Sequence, residues 1–241
     1  QSVVPPIGQI MASRWAFEAL AVNQYMENDY ERLFYQYDQQ MSEANFKKNF
    51  WIARLKAKVG LLNNWLNKKS KSTPEEIERE LETMRNEMLK ENLAYHGMTF
   101  DIVDNFTMEK LTKADLEELS LHLSKLHKIY IRQYNANSDL KDRIISEKEK
   151  SENGKENFKT LRNEYENESL SDLVTNKTDF NQITEYNGHL IQRADPVFHI
   201  PQGQGSHFYA PVKTFFGKQV STKTANIMIL WFMSIGLMVS L

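Results

Sequence analysis

The sequence predicts a mainly α-helical protein: a long-helix antiparallel, coiled-coil-like bundle with an interfacial helix before it and a C-terminal transmembrane helix after it. Three observations predict this. Apolar residues recur at helical spacing through most of the chain. Glycine and proline number only 9 and 6, and they cluster at Pro5-Pro6-Ile7-Gly8 and between Gly188 and Gly217. The stretch from Thr224 to Leu241 contains no charged residue.

The apolar C-terminal run is the strongest signal. Its length of about 18 residues corresponds to roughly 27 Å of helix, close to what a bilayer core requires. Lys218 and Lys223 precede it, where long cationic side chains reach headgroups. The alternative is a buried helix of a soluble domain. Asn226, Ser234, Ser240 and Gly236 suit a helix packed against other membrane helices. Both ends read as cut from a longer polypeptide, since Gln1 is not an initiator Met and Leu241 lies inside the apolar run.

The first helix is expected over about residues 9–40. Its start, from Ile10 to Val22, carries only Arg14 and Glu18 as charges. These are four apart, so they share a face and are able to pair. Two readings stand side by side: an ordinary amphipathic helix with a surface ion pair, or a helix at a membrane interface anchored by Trp15 and Phe17. A second helix spans about 42–69, with Trp51, Leu55, Val59, Leu62 and Leu66 in one stripe. Thr73-Pro74 with Glu76 is a capping box that opens a third helix, ended by Gly97. That helix carries Ile77, Leu81, Met84 and Met88 inside. Thr112 and Asp115 open the longest helix. Its seam of Leu116, Leu119, Leu123, Leu126, Tyr130, Gln133, Asn137, Leu140 and Ile144 is polar in the middle and is expected to pack within the chain, with a free dimer as the alternative. Asn153-Gly154 breaks it, and a weaker helix follows over about 156–174. The chain thus divides into an interfacial helix and its extension (1–40), a bundle insert (41–175), an irregular connection (176–217) and a membrane helix (218–241).

Composition excludes several functions. The net charge is −2, which gives no global reason to bind nucleic acid. There is no cysteine, hence no disulfide, thiol nucleophile or thiolate metal site. The Gly203-Gln204-Gly205 fragment lacks the lysine and helix of a phosphate loop. His122 and His127 are five apart, a poor spacing for two ligands on one helix face. His199 and His207 share a loop and are able to meet, with packing as the default role. No nucleophile–base arrangement stands out, so no catalytic, cofactor or metal residue is assigned.

Two stretches resemble a known family. Ser13-Arg14-Trp15-Ala16-Phe17-Glu18-Ala19-Leu20 is similar to the short helix after the fifth transmembrane helix in membrane domains of G-subfamily-type ABC exporters. His207-Phe208-Tyr209-Ala210-Pro211-Val212-Lys213-Thr214-Phe215-Phe216-Gly217, with the apolar run behind it, is similar to the re-entry into that family's last membrane helix. The likeness is to large Bacteroidetes-type fusions of ATPase and permease, and it covers about 60 residues at the two ends. The resemblance implies the external loop and last span of an ABC transporter permease in a bacterial inner membrane, with the helical insert in the periplasm. It implies no cofactor within this stretch; ATP and Mg belong to an ATPase elsewhere. The implied partners are other transmembrane helices, the nucleotide-binding domain, lipid and a second copy or pseudo-repeat in a dimer. Candidate interface or coupling residues are Arg14, Trp15, Phe17, Glu18, Tyr209, Lys213, Phe216 and Lys223. The competing reading is a tail-anchored helical scaffold, and the weakest is a soluble helical enzyme.

Overall fold

The computed structural model describes residue 8 and residues 10–94, 97–201, 207–215 and 217–240. The fold is mainly helical, with two small hairpins and an apolar helix at the C-terminal end. The chain forms two compact units. One comprises 1–43, 135–180 and 193–241, and the other 44–134 and 181–192. The helical range 41–175 therefore contributes to both.

The helices are α1 (Ala12–Glu27), α2 (Tyr35–Phe46), α3 (Ile52–Leu66), α4 (Pro74–Ala94), α5 (Lys113–Lys150), α6 (Gly154–Tyr165), α7 (Glu168–Val174) and α8 (Thr222–Ser240). The strands are β1 (Ile183–Tyr186), β2 (His189–Gln192), β3 (Val212–Phe215) and β4 (Lys218–Ser221).

In the second unit, α3, α4 and the first part of α5 enclose the larger core. The predicted stripes meet there: Trp51, Leu55 and Leu62 with Ile77, Leu81, Met84, Met88, Leu116, Leu119, Leu123, Leu126 and Tyr130. Val59 and Leu66 pack at its edge. Both predicted caps are present. Thr73 N donates to Glu76 Oε2 at 3.0 Å and Glu76 N to Thr73 Oγ1 at 3.3 Å. Thr112 N donates to Asp115 Oδ2 at 2.8 Å and Asp115 N to Thr112 Oγ1 at 3.2 Å. Each reciprocal pair satisfies two amides that the first helical turn leaves without partners. The seam of α5 holds as far as Asn137, which is buried. Beyond it Leu140 is exposed and Ile144 half-buried.

The structure departs from the predicted elements in four places. The first helix breaks after Glu27, because Asn28 turns the backbone to an extended conformation and its side chain holds the turn. The chain resumes as α2 and passes through a π-turn at Lys47–Trp51 directly into α3, so the expected gap near residue 41 is helix. The weak helix over 156–174 is two helices, α6 and α7, parted at Glu166 and Asn167; Asn167 caps α7 by accepting from Leu170 N.

The fourth departure is in the range expected to be an irregular connection. It contains β1 and β2, and β3, which pairs with β4. Asn187 and Gly188 both have positive φ, 49° and 66°, the backbone that a two-residue hairpin turn requires. β4 occupies Lys218–Ser221, so the apolar helix starts at Thr222 rather than at Lys218. Ser221 Oγ accepts from Thr224 N and caps it.

Substitutions on α5 test the seam. Leu126 is fully buried and Leu121 is 58% exposed. Leu126→Asp is expected to destabilise the protein by more than about 3 kcal/mol, because it removes packing and buries a carboxylate. Leu121→Asp is expected to stay within about 0.5 kcal/mol. Thermal unfolding of both variants checks the register.

Candidate functional site

The first unit holds a closed polar cluster on α1 where the first turns of α8 pack against it. Glu18 is completely buried. A carboxylate there needs several donors, since desolvation of a lone charge is costly. It receives three. Lys213 Nζ from β3 binds Oε1, in a contact 195 residues apart in sequence. Tyr209 N donates to the same oxygen at 3.2 Å. Asn226 Nδ2, in the second turn of α8, donates to Oε2 at 3.1 Å and to the Trp15 carbonyl at 3.0 Å.

The loop before β3 supplies backbone groups to this cluster. Lys213 Nζ also donates to His207 O at 2.9 Å. Thr222, the first residue of α8, donates its hydroxyl to Ala210 O and its amide to Pro211 O at 3.0 Å. Tyr209 has φ 68°, a left-handed backbone rare for an aromatic residue. That conformation turns its amide onto Glu18. Burial lowers the Lys213 pKa, and the Glu18 carboxylate acts in the opposite direction by holding the ammonium charged.

Arg14 lies in the same region. Its guanidinium sits over Trp15, 4.3 Å from the ring centroid, and over Phe208 at 5.1 Å. The four-residue partner of Glu18 is thus replaced by Lys213 as its cation. The spacing allows the pair, but the Arg14 guanidinium is turned onto the Trp15 and Phe208 rings while the Glu18 carboxylate is held inside by donors from β3, the loop before it and α8. Phe17 is exposed, and so is Lys223 at the start of α8. Phe216 lies outside the described residues. Of the eight candidate residues, the structure brings together Arg14, Trp15, Glu18, Tyr209 and Lys213.

Sequence reasoning places Asn226 against another membrane helix. In the structure its partner is α1 of the same chain. Thr222 and the carbonyls of the loop before β3 go unnoticed in the sequence. The available signal is the four-residue spacing of Thr222 and Asn226, which puts both on one face of α8.

The arrangement is a clamp rather than a reactive centre, because the carboxylate oxygens are already occupied by donors from the chain. The rings of His199 and His207 do meet, 5.2 Å apart, and burial pushes His207 down to about 4. A neutral, half-buried imidazole is suited to packing. His122 is also buried, beside Phe100. Among the described residues, no three His, Asp or Glu side chains converge in a way that would hold a metal ion.

Beyond its first turns, α8 is mostly exposed. It is the one helix among the described residues long and apolar enough to cross a membrane, and only 17% of its apolar window is buried. Trp231, Phe232 and Val239 are 67%, 74% and 82% exposed. A core helix of a soluble domain would be mostly covered. On α1, Phe17 and Leu20 are uncovered as well. Comparison with protein-family models, curated proteins and solved structures finds no match to this chain.

The clamp makes a testable claim about energy. Lys213→Met leaves a buried carboxylate without its cation and is expected to cost about 3–5 kcal/mol. The double variant Glu18→Met with Lys213→Met is expected to recover most of that loss, since an apolar pair of similar volume fits a buried site. Denaturant unfolding of the two single variants and the double variant in mild detergent measures the coupling.

Proposed function

We propose that this chain is the external helical loop and final membrane span of an ABC-type transporter permease of the G-subfamily kind. In this reading α8 crosses a bacterial inner membrane. α1 lies at its outer interface, and the helical insert stands in the periplasm. The chain supports transport driven by an ATPase outside this stretch, which supplies the site for ATP and Mg. Its partners are the other transmembrane helices, lipid, the nucleotide-binding domain and a second copy or pseudo-repeat.

The observation that carries the reading is the contrast along α8. Its first turns are held by polar contacts to Glu18, Trp15, Ala210 and Pro211. The rest is an apolar cylinder that the described residues leave mostly uncovered. A bilayer solvates such a surface, and a helix satisfies its own backbone there. At 19 residues, α8 measures about 28 Å. The resemblance of residues 13–20 and 207–217 to the family supplies the transporter assignment.

Because the sequence lacks cysteine, single-cysteine labelling is a direct test. Ala136 is exposed on α5. In right-side-out membrane vesicles, Ala136→Cys is expected to react with a membrane-impermeant maleimide from outside. Trp231→Cys is expected to react only after detergent is added. Labelling of Trp231→Cys by the water-soluble reagent without detergent would remove α8 from the bilayer. Labelling of Ala136→Cys only in inverted vesicles would instead support a tail-anchored scaffold.

A further inference from the structure

The join between α1 and α2 is built from groups that do not all fit together at one charge state. Asn28 ends α1 and shapes the turn: its Nδ2 donates to Gln24 O at 2.9 Å, and its Oδ1 accepts from Tyr30 N at 3.0 Å and Glu31 N at 2.7 Å. Glu31–Leu33 form a 3-10 turn, and Phe34 after it is fully buried. Tyr30, Phe34 and Phe158 of α6 form an aromatic cluster with centroids 5.3, 5.7 and 6.3 Å apart. Glu31 is half-buried in this setting.

The nearby cations are committed elsewhere. Lys141 of α5 binds both oxygens of Asp38, at 2.7 and 2.9 Å, and lies 5.0 Å from the Phe34 ring centroid. Arg162 of α6 holds Glu166 at 2.6 and 3.2 Å. Among the described residues the Glu31 carboxylate has no hydrogen bond or ion pair of its own. It faces Asp38 on α2 and Glu166 after α6 as like charges, against Lys141 and Arg162, with the neutral phenols of Tyr25 on α1 and Tyr30 also close enough to feel its charge. Asp195, held by Ser42 at 2.6 Å, adds a third carboxylate facing Asp38.

We propose that this elbow is a proton-operated joint, closed when Glu31 is neutral and loosened when Glu31 is charged. A neutral carboxyl is accepted beside the aromatic rings and two anions. A carboxylate in the same place is desolvated and repelled by Asp38 and Glu166, and the two cations that act on it, Lys141 and Arg162, are hydrogen-bonded to those same two acids. Its escape is toward water, which unpacks the turn that joins α1 to α2.

Burial first, and then Asp38, push Glu31 up to about 7 from its ordinary 4.5. The folded form therefore holds the proton more tightly than the unfolded chain. The stability this group contributes is complete below the unfolded pKa and is lost as the pH climbs through about 7. The joint is closed in mild acid and loosened above neutrality. This holds whether or not α8 sits in a bilayer.

The test is Glu31→Gln, which fixes the neutral shape, in the full chain in mild detergent. At pH 8 the variant is expected to melt about 3–6 °C above the wild type, a shift typical of a modest stabilisation. At pH 4.5 that gap is expected to close. Hydrogen exchange of residues 29–34, corrected for intrinsic rates, is expected to quicken in the wild type between pH 5.5 and 8 and to stay flat in the variant. An equal gap at both pH values, or none at pH 8, would overturn the proposal. Carbon NMR of the Glu31 carboxyl in the wild type gives a check that needs no substitution: a midpoint near 7 supports the joint, and one below 5 overturns it.

Discussion

A carboxylate taken wholly out of water must be met by a cation or several donors, and that requirement organises both units. Glu18, Glu87 and Glu91 are all at or near zero exposure. Glu18 recruits Lys213, the Tyr209 amide and Asn226. Glu87 accepts from the Trp51 indole at 2.6 Å and from the Leu190 amide at 2.9 Å. Glu91 takes Lys47 at 2.5 Å and the Tyr130 hydroxyl. None of these carboxylates is satisfied by its own helix. Each ties a helix to an element distant in sequence, and losing any donor would leave charge buried in a dry interior.

The same requirement explains how two very short hairpins persist. Each has strands of four residues and only two strands, an arrangement marginal by itself in water. In the second unit β2 is pinned to α4 by the Glu87–Leu190 contact, and Glu185 of β1 reaches Lys58 at 2.9 Å and Thr83 at 2.8 Å. In the first unit β3 is pinned to α1 by Lys213. The hairpins are arms that bring donors to the buried acids Glu87 and Glu18 and an acceptor to the buried Lys58, rather than sheets with cores of their own.

Helical periodicity and capping chemistry are local, and they are legible in the sequence. The stripes of α3 and α4, the Leu116 to Tyr130 seam, both capping boxes and the apolar run all depend on spacings of three or four residues. The elements that sequence reasoning misses depend on one decisive residue or on a distant partner. Asn28 breaks the first helix with its side chain, although the surrounding apolar spacing continues. Asn187-Gly188 is a turn signal that a reading built on helices passes over. The Glu18–Lys213 contact is out of reach of any local rule, even though both residues stand out in the sequence. Lys58 shows the limit again: a lysine beside an apolar stripe reads as solvated, yet it is buried because Glu80 and Glu185 neutralise it at 2.5 and 2.9 Å.

The division of labour between Arg14 and Lys213 follows from the shapes of their cations. Lysine ends in a compact charge with three rotatable donors. At position 213 that charge serves one carboxylate oxygen and one carbonyl, Glu18 Oε1 and His207 O, in a pocket with little room beside them. Arginine ends in a flat, weakly hydrated fork that stacks on rings. At position 14 it lies against two aromatic faces, Trp15 and Phe208, an interaction worth about 0.5–2 kcal/mol according to how far it is desolvated. Exchanging the two would put a fork where one point charge fits and a strongly hydrated ammonium where two rings offer little to replace its water. The pair of cations around Glu18 is therefore ordered. One neutralises the acid that joins α1, β3 and α8, and the other stacks on the rings of Trp15 and Phe208.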